Sequence, residues 1–185
     1  PDGTVVAFAS YATGLGAGQL DPNHFLDLFL FDRKSADLAS LTQRDPDIPP
    51  AAPYGPSTAG GISADGRFVA FVSRAAGLVP GQIDVPWGVG SSGQELGNWD
   101  VFLRDLTTGK TTLVSRSASS PLTAAGGFEP ALSADGQFLA FVSRPNSEGA
   151  IGPLYLYDRT ADSLTLITHT PGSPAVAEGT PTDTP

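Results

Sequence analysis

The chain has 185 residues, a formal net charge of -9 at pH 7, 16% charged residues, 22 glycines, 17 prolines and no cysteine. An acidic surface repels phosphate backbones, which argues against nucleic acid as a partner. The missing cysteine rules out a disulfide framework and a thiolate metal site, and no apolar run reaches the roughly 18 residues that a membrane-spanning helix needs.

In chain order, the first segment is Asp2-Gly3-Thr4-Val5-Val6-Ala7-Phe8-Ala9-Ser10, an Asp-Gly turn signal followed by an apolar run. Gly accepts the positive φ of a tight turn, so Asp-Gly beside an apolar run predicts a hairpin. A second strand is expected at Asp27 to Asp32 and a third at Leu38 to Thr42, joined by the polar turn Arg33 to Asp37. The pattern then returns in full. A short strand near Thr58 to Ser63 leads into Asp65-Gly66 and Phe68-Val69-Ala70-Phe71-Val72, followed by Asp100 to Asp105 and Thr111 to Ser115. The third copy runs from Phe128 to Ser133 through Asp135-Gly136 and Phe138-Leu139-Ala140-Phe141-Val142, then Leu154 to Asp158 and Leu164 to Thr168. Runs apolar at nearly every position read as strands buried on both faces, and the small Ala7, Ala70 and Ala140 suit close sheet packing.

Each full copy therefore holds four antiparallel strands, A to D, the signature of a β-propeller blade. The expected fold is all-β, a partial β-propeller of about three four-stranded blades. Residues 1–43 form a first blade without its strand A, residues 44–116 a second and residues 117–170 a third. Residues 171–185 form either a Thr/Pro-rich tail or an extra strand completing the first blade. The repeat resembles the TolB-like (PD40, WD40-like) propeller family. There a short strand ends in Ser-x-Asp-Gly, as at Ser63 to Gly66 and Ser133 to Gly136, and an Asp-Val-Phe-x-x-Asp-like strand follows, as at Asp100 to Asp105. With no methionine and an opening inside a blade, the sequence is expected to be part of a longer or processed protein.

About three blades fall short of the roughly four to eight that close a ring, so a partner must cover the open flanks. That partner is further blades, a second copy or another protein. The long connections (Tyr11 to Leu26, Gln43 to Ser57, Arg74 to Trp99, Arg116 to Gly127, Arg144 to Pro153) all fall on one face of an up-and-down blade array. Long loops in compact domains are usually functional, which makes that face the expected binding face.

Three loop features carry candidate chemistry. Asp21, Asn23 and Asp27 have oxygen-ligand spacing for Ca²⁺, although Pro22 and His24 interrupt it and no bidentate Glu follows. The alternative is that these groups cap turns. Asp84, Asn98 and Asp100 repeat the set across an insertion. Trp87 and Trp99, in a Gly/Ser-rich insertion, either face a protein or carbohydrate partner or fold back over the blade. The proline-rich stretch around Tyr54 would be extended and could lie along a partner.

Catalysis lacks a motif. His24 and His169 have no nucleophile beside them, and Gly90-Ser91-Ser92-Gly93 lacks the strand-to-helix setting of a nucleophile elbow. Thr107 to Thr111 sits in a hairpin turn with no helix after it. Asp32, Asp105 and Asp158 end the third strand of every blade, which marks them as structural. The expected function is a non-catalytic scaffold or protein-interaction module with no cofactor, its rivals being a carbohydrate- or calcium-binding module and the propeller of a larger hydrolase. The resemblance implies a periplasmic, cell-surface or extracellular location.

Overall fold

The Ser-x-Asp-Gly turn shows how sequence sets the blade. Gly66 and Gly136 sit at φ 74° and 68°, where a Cβ would be strained. Ser63 Oγ accepts the Phe68 N–H at 2.9 Å, and the Asp65 carboxylate accepts the Arg67 N–H at 3.0 Å. Ser133, Asp135, Gln137 and Phe138 repeat these bonds in the third blade. Ser63 is fully buried. Ser63→Ala leaves the Phe68 N–H without its acceptor, so we expect a loss of about 1–3 kcal/mol in urea unfolding.

The computed structural model describes residues 3–12, 15, 25–42, 55–84, 86–89, 95–118, 120–143, 152–170 and 173–177, with backbone alone for 86–89, 95–97, 169–170 and 173–177. Its described elements are all strands and turns. Blade 1 is a three-stranded antiparallel sheet of β1 (Val5–Ser10), β2 (Asp27–Asp32) and β3 (Leu38–Ser40). Next come β4 (Ser57–Ile62) and β5 (Phe68–Ser73), a hairpin of β6 (Pro86–Val89) and β7 (Glu95–Gly97), then β8 (Asp100–Asp105) and β9 (Lys110–Leu113). Blade 2 is the sheet β4-β5-β8-β9. A hairpin of β10 (Arg116–Ser117) and β11 (Ser120–Ala124) leads to β12 (Gly127–Leu132), β13 (Phe138–Ser143), β14 (Leu154–Asp158) and β15 (Ser163–Leu166), which form blade 3. A hairpin of β16 (His169–Thr170) and β17 (Ser173–Ala177) follows.

These sheets match the expected blades, an all-β partial propeller whose first blade has three strands among the described residues. Two expectations change in detail. The connection from Arg116 to Gly127 and the insertion after Val85 contain paired hairpins, because the ladder gives their backbone groups partners that a bare loop would lack. The stretch after Thr170 also forms a hairpin, which neither reading of the tail included. Its pairs His169↔Ala177 and Thr170↔Ser173 repeat Arg116↔Ala124 and Ser117↔Ser120 at constant offset. Thr180 to Pro185 lie outside the described residues.

Position by position, the blades superpose in register. Phe8 pairs with Phe29, Phe71 with Phe102 and Phe141 with Tyr155, and each pair stacks with ring centroids 5.7, 5.3 and 5.8 Å apart. Asp32, Asp105 and Asp158 each accept turn amides, from Lys34, Thr107 and Thr160 at 2.7, 2.9 and 2.8 Å. That confirms the recurrent carboxylates as turn supports. Four residues after each of them the turn passes through positive φ, at Ala36, Gly109 and Asp162.

Two cores result, one on each face of blade 2. Leu28 and Leu41 of blade 1 pack with Val69, Phe71, Phe102 and Leu113. On the other face Phe68, Ala70, Val72, Val101, Leu103 and Val114 pack against Leu139, Phe141 and Tyr157 of blade 3. Every residue of β5 is buried, as its apolar run predicts, whereas β1 and β13 are buried only in part. The difference is positional, since among the described residues only blade 2 has a blade on both sides.

Candidate functional site

The open flank of blade 3 is made of the same positions as a buried interface. Phe68, Ala70, Val72, Val101, Leu103 and Val114 correspond by register to Phe138, Ala140, Val142, Leu154, Leu156 and Ile167. The blade 2 set is at most 7% exposed, while Phe138 and Ile167 are 37% and 43% exposed. Apolar type is kept at every position, yet in the third blade Phe138 and Ile167 are exposed and Ala140, Val142, Leu154 and Leu156 are only half-buried. An apolar sheet face of this kind marks a contact surface.

Blade 1 carries the counterparts of the opposite face, among which Phe29 is fully buried. The residues of blade 3 that pack on blade 2 are Leu139, Phe141, Tyr155, Tyr157 and Leu164. Their counterparts in blade 1 are Val6, Phe8, Phe29, Phe31 and Leu38, on the face turned away from blade 2. Val6 is 42% exposed. Arginines mark the same ends of these faces. Arg159 Nε donates to Gly136 O at 2.9 Å with its guanidinium 4.2 Å over the Phe68 ring. Arg33 Nη1 donates to Gly3 O at 2.8 Å in the same way.

On the long-connection face, the second blade builds a polar cluster at its border with blade 3. Asp100, 1% exposed, accepts the Ser115 hydroxyl at 2.8 Å and the Gly126 N–H at 3.0 Å. Burial pushes its carboxyl up to about 7 against those bonds, and the Asp84 charge adds to the rise. Burial also raises Asp84, whose Oδ1 accepts Gln82 Nε2 at 2.7 Å. The loop bearing Asp84 is tied to β11, Ile83 and Leu122 bonding at 2.8 Å and Ala124 and Ile83 at 2.9 Å. The insertion between Asp84 and Asp100 thus leaves them neighbours.

The sequence-predicted site residues divide. Asp27 opens β2 and accepts the Thr42 hydroxyl at 3.3 Å, the counterpart of the Asp100–Ser115 bond, which ties the start of β2 to the chain just after β3. Trp99 is half-buried against the core shared by blades 2 and 3, with the Arg74 guanidinium 5.4 Å from its ring centre. It folds back over the blade. Trp87 lies in β6, where the backbone alone is described, and Asp21, Asn23 and Tyr54 lie outside the described residues. No group of three or more His, Cys, Asp or Glu poised for a metal occurs among the described residues.

No protein-family model matches the chain, and no curated protein does. Among solved structures, the crystal structure of the tricorn protease is similar over 89% of this chain, with 16% identity and a TM-score of 0.49. The chain spans 12% of that neighbour's length. The architecture given above rests on the strand pairing itself.

A groove of about 450 Å³ also lies between blades 2 and 3, lined by the outer strand β9, Arg116, Tyr157, Arg159 and Asp162. Its acids are already engaged: Arg116 Nη2 lies 2.7 Å from Asp162 Oδ1, and the Tyr157 hydroxyl donates to the same oxygen at 2.9 Å. Arg67 bonds Asp105 through two nitrogens at 3.0 and 2.8 Å. These bonds lock blade to blade and strand to strand. The residues that sequence reading passed over are Phe138, Ile167 and Arg33. The available signal was their repeat position, since each belongs to a set buried or bonded elsewhere in the array.

Proposed function

We propose that the chain is a non-catalytic β-propeller module of the TolB-like type that works by contact, as a scaffold or interaction subunit of a periplasmic, cell-surface or extracellular assembly. The observation that carries this reading is the blade 3 flank, whose apolar positions match a buried inter-blade face residue for residue while Phe138 and Ile167 stand exposed. Apolar surface of that pattern is stabilised by being removed from water, so the module's role lies in what covers it. The recurrent carboxylates support turns, which fits a contact role.

Hydroxyl-radical labelling of the native assembly, isolated with its natural partners, tests this. Phe138 and Ile167 should label as weakly as Phe68 and Val114, and should label strongly once the assembly is dissociated. Strong labelling of Phe138 in the intact assembly would show a bare flank and remove the basis for the reading.

A further inference from the structure

We propose that the groove between blades 2 and 3 takes up an extended acidic peptide of a partner protein, which adds as a strand to the β9 edge and turns its carboxylates toward Lys110 and Arg159. The groove is built from residues at a junction inside the chain, so the inference stands apart from whatever covers the blade 3 flank.

β9 is the edge strand of the blade 2 sheet among the described residues, and all four of its residues, Lys110 to Leu113, line the groove. Successive strand residues point to opposite faces, so a groove lined by all four follows the edge of the sheet and not one of its faces. An edge strand presents a row of backbone N–H and C=O groups, and an extended peptide pairs with such a row. Across from β9 the hairpin β10–β11 contributes Arg116, Pro121 and Leu122 to the lining. The volume of about 450 Å³ falls in the range of roughly 300–1,000 Å³ that holds small ligands, so it suits a short segment of chain and not a folded domain.

The two sides of this edge differ in chemistry. Lys110 pairs with Asp105 and Thr112 with Leu103, which belongs to the core toward blade 3. On that side the groove gathers Lys110, Arg116, Arg159 and, through its bonds to Asp105, Arg67, four of the ten lysines and arginines of the chain. Two of the 19 acids, Asp105 and Asp162, line it, and each is held by an arginine, Arg67 or Arg116. Lys110 and Arg159 are left over: neither forms an ion pair among the described residues, and Lys110 is exposed. In a chain of net charge -9, such a local excess of positive charge directs an anion to this place. On the other side Leu113 pairs with Phe102 in the core toward blade 1, where Val79 also packs. Leu122, 37% exposed, borders the same loop, 3.3 Å from a Cβ built on Gly81. A strand that alternates acidic and apolar side chains meets both sides at once. A sulfated glycan would meet the cations but leave the strand edge and the apolar side without partners, which favours the peptide.

Fluorescence anisotropy of a labelled hexapeptide alternating Glu and Val, titrated with the full chain, tests this. The expected result is saturable binding that weakens as salt is added, with slower amide hydrogen exchange in β9 when the peptide is bound. Lys110→Ala should weaken binding at least tenfold while unfolding in urea like the parent, since the side chain is exposed. Two changes to the peptide separate charge from strand pairing and need no variant of the protein. Replacing Glu by Gln should weaken binding at least tenfold, and N-methylating one alternate set of its amides should abolish it. Equal binding of the Gln peptide, or of the Glu peptide to Lys110→Ala, would overturn the role of charge. Full binding of the peptides N-methylated on either alternate set, or unchanged exchange in β9, would overturn strand addition. No saturable binding up to about 1 mM chain would overturn the peptide as occupant. A heparin hexasaccharide bound in its place would assign the groove to a sulfated glycan instead.

Discussion

Phe68→Ala should cost about 3–5 kcal/mol of folding free energy, the range for emptying a buried phenylalanine site. The side chain is 3% exposed, lies in the core between blades 2 and 3, and has the guanidinium groups of Arg67 and Arg159 at 4.7 and 4.2 Å from its ring. Its repeat counterpart Phe138 is 37% exposed on the open flank. Phe138→Ala should cost about 1 kcal/mol or less in a chain measured alone at high dilution, since less apolar area leaves water there. Urea unfolding of both variants measures this. Equal costs at the two positions would contradict the assignment of Phe138 to an exposed flank.

Asp100→Asn should flatten the pH dependence of stability. Burial favours the neutral acid in the folded chain and raises its pKa to about 7, while in the unfolded chain the carboxyl ionises near its ordinary 3.8. The folded state thus holds more protons than the unfolded state between those values. Stability conferred by the protonated form falls as pH rises from about 4 to about 7, and is level above that. At about 1.4 kcal/mol per pH unit, the loss reaches at most about 4 kcal/mol. Asparagine keeps an oxygen for the Ser115 hydroxyl and the Gly126 N–H but carries no charge. Other carboxylates act in the opposite sense: the Arg67 guanidinium holds Asp105 well below the usual carboxylate range, which favours folding at higher pH. The difference between Asp100→Asn and the parent chain isolates the one group. The variant should match or trail the parent at pH 4 and exceed it at pH 8, in urea unfolding. A difference independent of pH would show that Asp100 ionises as freely when folded as when unfolded.

The sequence made the blades legible because three signals agree. The Asp-Gly turns, the apolar runs after them and the aspartates ending the next strand all recur in register, and pairing such as Phe71↔Phe102 followed. The hairpins β10–β11 and β16–β17 were not legible. Their strands are two and five residues long, too short for a period to show. Trp99 was ambiguous for a different reason: composition cannot say whether a loop aromatic points outward, and the choice is made by packing against the core and Arg74. The grouping of Asp84 with Asp100 was legible across the insertion from the matching first loop, and the β6–β7 hairpin absorbs that insertion. The flank was visible in principle. A strand such as Phe138 to Ser143, written for burial on both faces, already asks for a neighbour.

Hydroxyl-radical labelling of Phe138 and Ile167, in the native assembly and in the isolated chain, tests the contact role most directly. Both should label weakly in the assembly, as Phe68 and Val114 do, and strongly in the isolated chain, where they are 37% and 43% exposed. Strong labelling of Phe138 in the intact assembly would contradict a covered flank.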